Sequence, residues 1–187
     1  MTKSKIMCNL AVEIAKEVQK ELKAKKFIAQ PSTYVRFPCP GKELPQSMEL
    51  QDILKKNTAP CKVCALGAMF TAQVAKYDDY AIDRDKINFG EINLNKKDIF
   101  TKLEEAFTSE EMVYIEAAFE RDIITSSEQD NIGFDEDLAK RAKRMFMIVS
   151  DYDDGEPEDM EESLNPEERL MAICQNIIDN KGNFVVS

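Results

Sequence analysis

The chain has 187 residues, so one domain can bury a hydrophobic core without disulfide or metal crosslinks. Its 25 basic and 35 acidic residues give a formal net charge of -10. This charge argues against general binding to nucleic acid or to anionic membranes, because both reward clustered Lys and Arg. The sequence contains no histidine, which excludes a Ser-His-Asp triad, a Cys-His catalytic pair and a Cys2His2 zinc site.

The N-terminal third predicts a long helix followed by broken chain. An amphipathic helix is expected over residues 4–26, because apolar residues recur at every fourth position. These are Ile6, Leu10, Ile14, Val18 and Leu22. Alternation over residues 33–37 predicts a short strand, and three prolines and a glycine between positions 38 and 45 predict a loop. Ser47 is the expected N-cap of a short helix over residues 48–55.

Residues 58–77, TAPCKVCALGAMFTAQVAKY, are apolar on nearly every face of a helix. This pattern predicts a buried central helix around which the other helices pack. Pro60 suits its first turn, where the missing amide hydrogen costs nothing. Gly67 lies in the middle of the helix, where it costs roughly 1 kcal/mol relative to Ala. We therefore expect a neighbouring element to pack closely against Gly67.

The second half of the chain predicts a hairpin and further helices. Alternation over residues 87–94 favours a hairpin with Gly90-Glu91 as its type II′ loop. Helices are expected over residues 95–107, after a T-x-x-E capping box at 108–111, and over 135–149. The last helix begins at Asn165, with a proline in its first turn, and ends at Gly182. The predicted fold is mainly α, a single domain over residues 1–187. It comprises six or seven helices around the buried central helix, with a minor strand or hairpin element.

Residues 150–163, SDYDDGEPEDMEES, contain eight acidic residues, no basic residue and little to bury. Such a segment cannot recover the entropy lost on ordering, so we expect a mobile acidic loop within the domain. Asp151, Asp153 and Glu162 match positions 1, 3 and 12 of an EF-hand loop. The glycine comes one position early, however, and Pro157 occupies the position of the carbonyl ligand, which argues against an EF-hand.

Five cysteines in a protein expected to be cytoplasmic are reduced thiols, since the sequence has neither a signal-peptide pattern nor a span of membrane length. Cys61 and Cys64 lie one turn apart at the expected start of the central helix, where the helix dipole lowers a thiol pKa. One interpretation is a thiol-redox pair, in which Cys61 attacks and Cys64 resolves. Another is a zinc site with Cys39 as third ligand and Cys8 or an acid as fourth. The third is structural, with Cys64 in the core and no cofactor.

The segments CALGAMF, LEEAFTSEEMVYIEAAFE and ERLMAICQNIIDNKGNF resemble a loose group of small uncharacterised proteins encoded by bacteriophages and prophages. These are packing motifs that cover part of the chain, so the resemblance implies no reaction and no functional residues. It implies instead a kind of biology, because small acidic phage proteins often bind and block a host protein.

The expected function is therefore non-enzymatic: a phage accessory protein that binds, and in doing so can inhibit, a host or phage protein with a basic surface. Charge complementarity of this kind raises the association rate and selects partners. The acids between positions 78 and 85 are one candidate contact region. The main candidate contacts are Asp151, Asp153, Asp154, Glu156, Glu158 and Asp159.

Overall fold

The computed structural model describes residues 3–36, 47–56, 59–77, 80–83, 87–88, 91–92, 96–120, 135–148 and 162–187. In these segments the fold is mainly helical, as predicted. The helices are α1 (Lys5–Lys23), α2 (Leu50–Lys56), α3 (Ala65–Tyr77), α4 (Lys96–Leu103), α5 (Ser109–Glu120), α6 (Glu136–Arg144) and α7 (Pro166–Asp179). The strands are β1 (Phe27–Ala29), β2 (Val35–Arg36), β3 (Ser47–Glu49), β4 (Cys61–Val63), β5 (Ala81–Asp83), β6 (Ile87–Asn88), β7 (Glu91–Ile92), β8 (Met147–Ile148) and β9 (Glu162–Ser163).

Helix α3 lies at the centre of the core, which confirms the predicted buried helix. It packs against α1, α2, α4 and α5, and Leu66, Met69 and Phe70 are fully buried. The Phe70 ring meets the Tyr80 ring edge to face, with 5.2 Å between centroids. Around this centre, α1 pairs with α7 and α5 pairs with α6.

The buried face of α1 lies within the predicted stripe, which Met7, Ala11 and Ala15 widen, but it excludes the first residue of that stripe. It comprises Ala11, Ile14, Ala15, Val18 and Leu22, whereas Ile6 is 80% exposed. A strict four-residue repeat rotates by about 40° per step around a helix of 3.6 residues per turn. Ile6 therefore lies almost opposite Leu22. The buried residues are instead spaced by three and four positions, which keeps them on one face of the helix.

A small sheet precedes α3, and it corrects the predicted start of the central helix. Strand β4 pairs in parallel with β1, Phe27 opposite Cys61, and antiparallel with β2, Val35 opposite Val63. Residues 61–63 are therefore extended, and α3 begins only at Ala65. The alternation of buried Cys61, exposed Lys62 and buried Val63 suits a strand.

Gly67 is in close contact with the segment before β2, as expected. A Cβ on Gly67 would overlap the Tyr34 carbonyl group and lie 3.1 Å from the Tyr34 Cα. The backbone N–H of Cys64 donates to the Thr33 carbonyl oxygen at 2.6 Å. Glycine thus lets the chain between β1 and β2 pack directly on the backbone of α3.

Three two-stranded ladders complete the strands. The predicted hairpin is confirmed, but Asn88 pairs with Glu91, so Glu91 belongs to β7 and not to the loop. Ser47 pairs with Asp83 in the β3–β5 ladder, and α2 begins at Leu50, so the predicted Ser47 cap is wrong. The helix expected over 135–149 ends at Arg144, because Met147 and Ile148 pair with β9.

The predicted caps at the start of α5 and α7 are confirmed. At the start of α5, Glu111 N–H donates to Thr108 Oγ1 at 3.1 Å and Thr108 N–H donates to Glu111 Oε2 at 2.8 Å. Asn165 and Glu168 form the same reciprocal pair before α7. Gly182 has φ +97°, and a Cβ there would lie 2.6 Å from the Cys8 Cα.

Candidate functional site

A pocket of about 470 Å³ lies between the C-terminal half of α1, helix α2 and helix α3. Its volume falls in the range of small-molecule sites. Small residues on α3, Ala72 and Ala75, leave the space open, and Phe27, Leu54 and Pro60 supply larger apolar walls. The pocket therefore has a mainly apolar body.

The polar groups of the pocket come from each of the three helices. Helix α1 contributes Glu17 and Glu21, α2 contributes Gln51, and α3 contributes Thr71. The Thr71 hydroxyl donates to the Gly67 carbonyl oxygen at 2.7 Å, and the Gln51 amide nitrogen donates to the Val74 carbonyl oxygen at 2.8 Å. With those donors engaged, the oxygens of both side chains keep acceptor capacity.

The carboxylates of Glu17 and Glu21 are mostly covered, with side chains 17% and 14% exposed. Lys20 Nζ lies 2.6 Å from Glu17 Oε1 and 3.8 Å from Glu21 Oε1. Lys26 Nζ lies 3.3 Å from Glu21 Oε2, and Lys76 Nζ lies 3.9 Å from Glu17 Oε2. The lysine side chains are more exposed, so the carboxylates form the wall and the ammonium groups lie towards solvent.

Cys61 lines this pocket, although its exposed fraction is only 6%. It lies at the start of β4, where its N–H donates to the Lys26 carbonyl oxygen at 2.8 Å. The expectation that Cys61 belongs to a helix N-terminus is wrong, because its sheet partners extend the chain there.

Cys64 immediately precedes α3, and its Sγ accepts a hydrogen bond from the Gly67 N–H at 3.3 Å. The thiol thus takes the position of a helix cap. It is nevertheless buried, and burial raises its pKa well above the ordinary value, with Glu120 and Glu116 contributing in the same direction. The predicted lowering of the Cys64 pKa by the dipole is therefore wrong, because loss of hydration outweighs it.

The extended chain also separates Cys61 from Cys64. At a strand rise of about 3.3 Å per residue, their Cα atoms are roughly 10 Å apart, whereas a disulfide requires less than about 7 Å. Redox chemistry by this pair would require β4 to rearrange.

The zinc hypothesis places Cys39, Cys61 and Cys64 in one site, with Cys8 or an acid as fourth ligand. Within the described segments, no group of three or more Cys, Asp or Glu side chains is placed to hold a metal ion, while Cys39 lies outside them. Cys8 lies near the start of α1 and Cys61 beyond its end, roughly 20 Å away by helix rise. Cys8 is therefore not a fourth ligand with Cys61. Cys174 is buried in α7, where burial raises its pKa.

The acidic contact residues Asp151, Asp153, Asp154, Glu156, Glu158 and Asp159 all lie outside the described residues. The structure does describe the chain on both sides of them. Ile148 in β8 pairs with Glu162 in β9, so the described residues before and after this segment are neighbours. Of the second candidate region, residues 80–83 are described, and Asp83 lies in β5.

Sequence reasoning missed the pocket. The signal available was the four-residue spacing of Glu17 and Glu21, which places both on one side of α1. That spacing does not reveal which helix faces them.

Comparisons with protein families, with curated proteins and with solved structures found no match. The resemblance to phage proteins stays a prediction. Among the described helices, none has both the length and the apolar character that crossing a membrane requires.

Proposed function

We propose that this protein is a non-enzymatic accessory protein, encoded by a phage, that binds a basic surface on a host or phage protein and can inhibit it. The observation that carries the proposal is the acidic segment 150–163 together with the net charge of -10. A negative surface of this kind accelerates encounter with a basic partner and disfavours acidic ones.

The β8–β9 ladder supports this function. Because Ile148 and Glu162 are paired, the acidic chain between them is attached to the domain at both ends. Tethering of this kind reduces the ordering entropy that a binding segment loses when it meets a partner. Seven of the eight acids lie between these two paired residues in the sequence.

Two of the four described thiols, those of Cys64 and Cys174, suit a structural role. Burial raises the pKa of both Cys64 and Cys174, so each stays protonated at neutral pH. A protonated core thiol behaves as a small hydrophobe and is a poor nucleophile.

The test begins with affinity capture of the tagged protein from lysate of its native cell, at low and at high salt. The captured partner is then purified and titrated against matched variants. One variant changes Asp153, Asp154 and Glu156 to amides. The control changes three exposed acids, Asp52 on α2, Glu104 in the turn after α4 and Glu110 on α5, so the change in net charge is the same.

We expect the acidic-segment variant to lose about tenfold in affinity and to show a weaker salt dependence. The control should stay within about twofold, since its charges lie elsewhere. A partner bound equally by both variants would contradict the proposal, as would the lack of any stoichiometric partner at either salt.

A further inference from the structure

The pocket between α1, α2 and α3 lies apart from the acidic segment in sequence and has its own chemistry. We propose that it binds a small organic cation, an ammonium or guanidinium group carried on an apolar stem. The cation is either a free amine or the Lys or Arg side chain of a partner protein. This inference does not rest on the function proposed for the acidic segment.

The pocket presents hydrogen-bond acceptors, which favours a ligand that donates hydrogen bonds. The ionised carboxylates of Glu17 and Glu21 can only accept hydrogen bonds. The Thr71 hydroxyl donates to the Gly67 carbonyl and one Gln51 amide hydrogen is donated to the Val74 carbonyl, so the oxygens of both side chains can accept. Four side chains from three helices thus offer acceptors to one cavity. Ammonium and guanidinium groups are the donors that match such a site.

The C-terminal end of α1 also lies at the pocket. The helix ends at Lys23, and Glu21, Ala24 and Lys25 from this end line the pocket. The partial negative charge of a helix C-terminus adds to the charge of the carboxylates. The net charge of -10 further raises the local concentration of cations.

Lysines also surround this site. Lys25 and Lys26 line the pocket, and Lys20 and Lys76 pair with Glu17, so a ligand cation has to displace an ammonium group from a carboxylate. Lys25 forms an ion pair with Glu167 at 2.7 Å and is 72% exposed. Lys26 is 69% exposed, and its ion pair with Glu21 has a distance of 3.3 Å. Exposed ion pairs of this kind contribute little free energy. A ligand cation that also buries its stem against Phe27 and Leu54 can therefore displace Lys26 from Glu21.

The experiment compares three probes with one apolar body and different charges: 2-phenylethylamine, 2-phenylethanol and 3-phenylpropionate. Binding is measured by calorimetry. A second readout is protection of Cys61, which lines the pocket, from iodoacetamide, followed by mass mapping of the labelled peptide. We expect the amine to bind at least about tenfold more tightly than the alcohol, and the carboxylate to bind weakest.

Two variants locate the site. Glu21→Gln should weaken amine binding about tenfold and leave alcohol binding unchanged. Glu13→Gln is its matched control, because Glu13 lies on α1 and pairs with Lys16 and Lys76, yet does not line the pocket. Should Glu21→Gln unfold, Ala75→Leu tests the same site, since this larger side chain at the exposed wall should abolish amine binding and slow Cys61 labelling.

The two sources of the cation are distinguished by a fourth probe, Nα-acetyl-arginine amide. Tighter binding of this probe than of phenylethylamine assigns the pocket to a side chain of a protein partner, and the reverse assigns it to a free amine. Equal binding of amine and alcohol would overturn the proposal. Equal effects of the Glu13 and Glu21 substitutions would overturn it too. They would show that amine binding depends only on the overall negative charge of α1 and not on a carboxylate in the pocket.

Discussion

Gly67→Ala is expected to destabilise the protein although Ala is the better helix former by about 1 kcal/mol. An added Cβ would overlap the carbonyl group of Tyr34, which is backbone and not a flexible side chain. That segment is held in place by the Cys64 N–H to Thr33 carbonyl bond at 2.6 Å and by the Tyr34 hydroxyl, which donates to Glu116 at 2.8 Å. Relief of the overlap would therefore break contacts between the sheet and α5.

The magnitude follows from the two opposing effects. Overpacking of a rigid site costs about 3 kcal/mol, at the upper end of the usual range, and the helix propensity returns about 1 kcal/mol. The expected net loss is about 2 kcal/mol of unfolding free energy, measured by urea denaturation followed by circular dichroism. Ala75→Gly, at an exposed position of the same helix, is the control and should lose about 1 kcal/mol from propensity. A Gly67→Ala protein as stable as the parent would refute the close packing.

Two further predictions concern buried charge and buried thiols. Glu111→Gln should cost about 3 kcal/mol in urea denaturation, because it breaks a pair at 3.0 Å whose lysine side chain is only 5% exposed. The exposed neighbour Glu110→Gln should cost under about 0.5 kcal/mol, and equal losses would contradict this reasoning. Burial raises the pKa of Cys64 and Cys174, so the folded thiols stay protonated while unfolded thiols ionise above about pH 8.5. The unfolded state then binds fewer protons, and stability should fall as pH rises, by roughly 1 kcal/mol for each thiol between pH 8.5 and 9.5. Cys174→Val should remove its share of that slope, measured by urea denaturation between pH 8.5 and 9.5, and an unchanged slope would exclude the thiol as its source.

Features encoded within three or four residues were predictable from the sequence. The reciprocal caps at Thr108 and Asn165 and the left-handed Gly182 depend on side chains and dihedrals at the helix end itself. The buried character of α3 was equally predictable, because every face of that segment is apolar. Such signals do not depend on the rest of the fold.

The segment around Cys61 shows why the remainder was not predictable. Its apolar residues suit a helix or a strand equally well, and the choice is made by β1 and β2, which lie far earlier in the chain. Once residues 61–63 are extended, the Cys61 thiol lies at the pocket and the Cys64 thiol lies against Gly67. A single error in secondary structure therefore altered the predicted chemistry of both thiols.

The small residues of α3 have opposite consequences at its two ends. At Gly67 a backbone segment fills the space that the missing side chain leaves. At Ala72 and Ala75, by contrast, a pocket remains, and the carboxylates of α1 are part of its lining. If that space were only a packing defect, filling it with Ala75→Leu would raise stability and change nothing else. If it is a cation site, the same substitution must also abolish amine binding and slow the labelling of Cys61. Stability and binding measured on this one variant therefore distinguish a defect in the core from a site that the fold maintains.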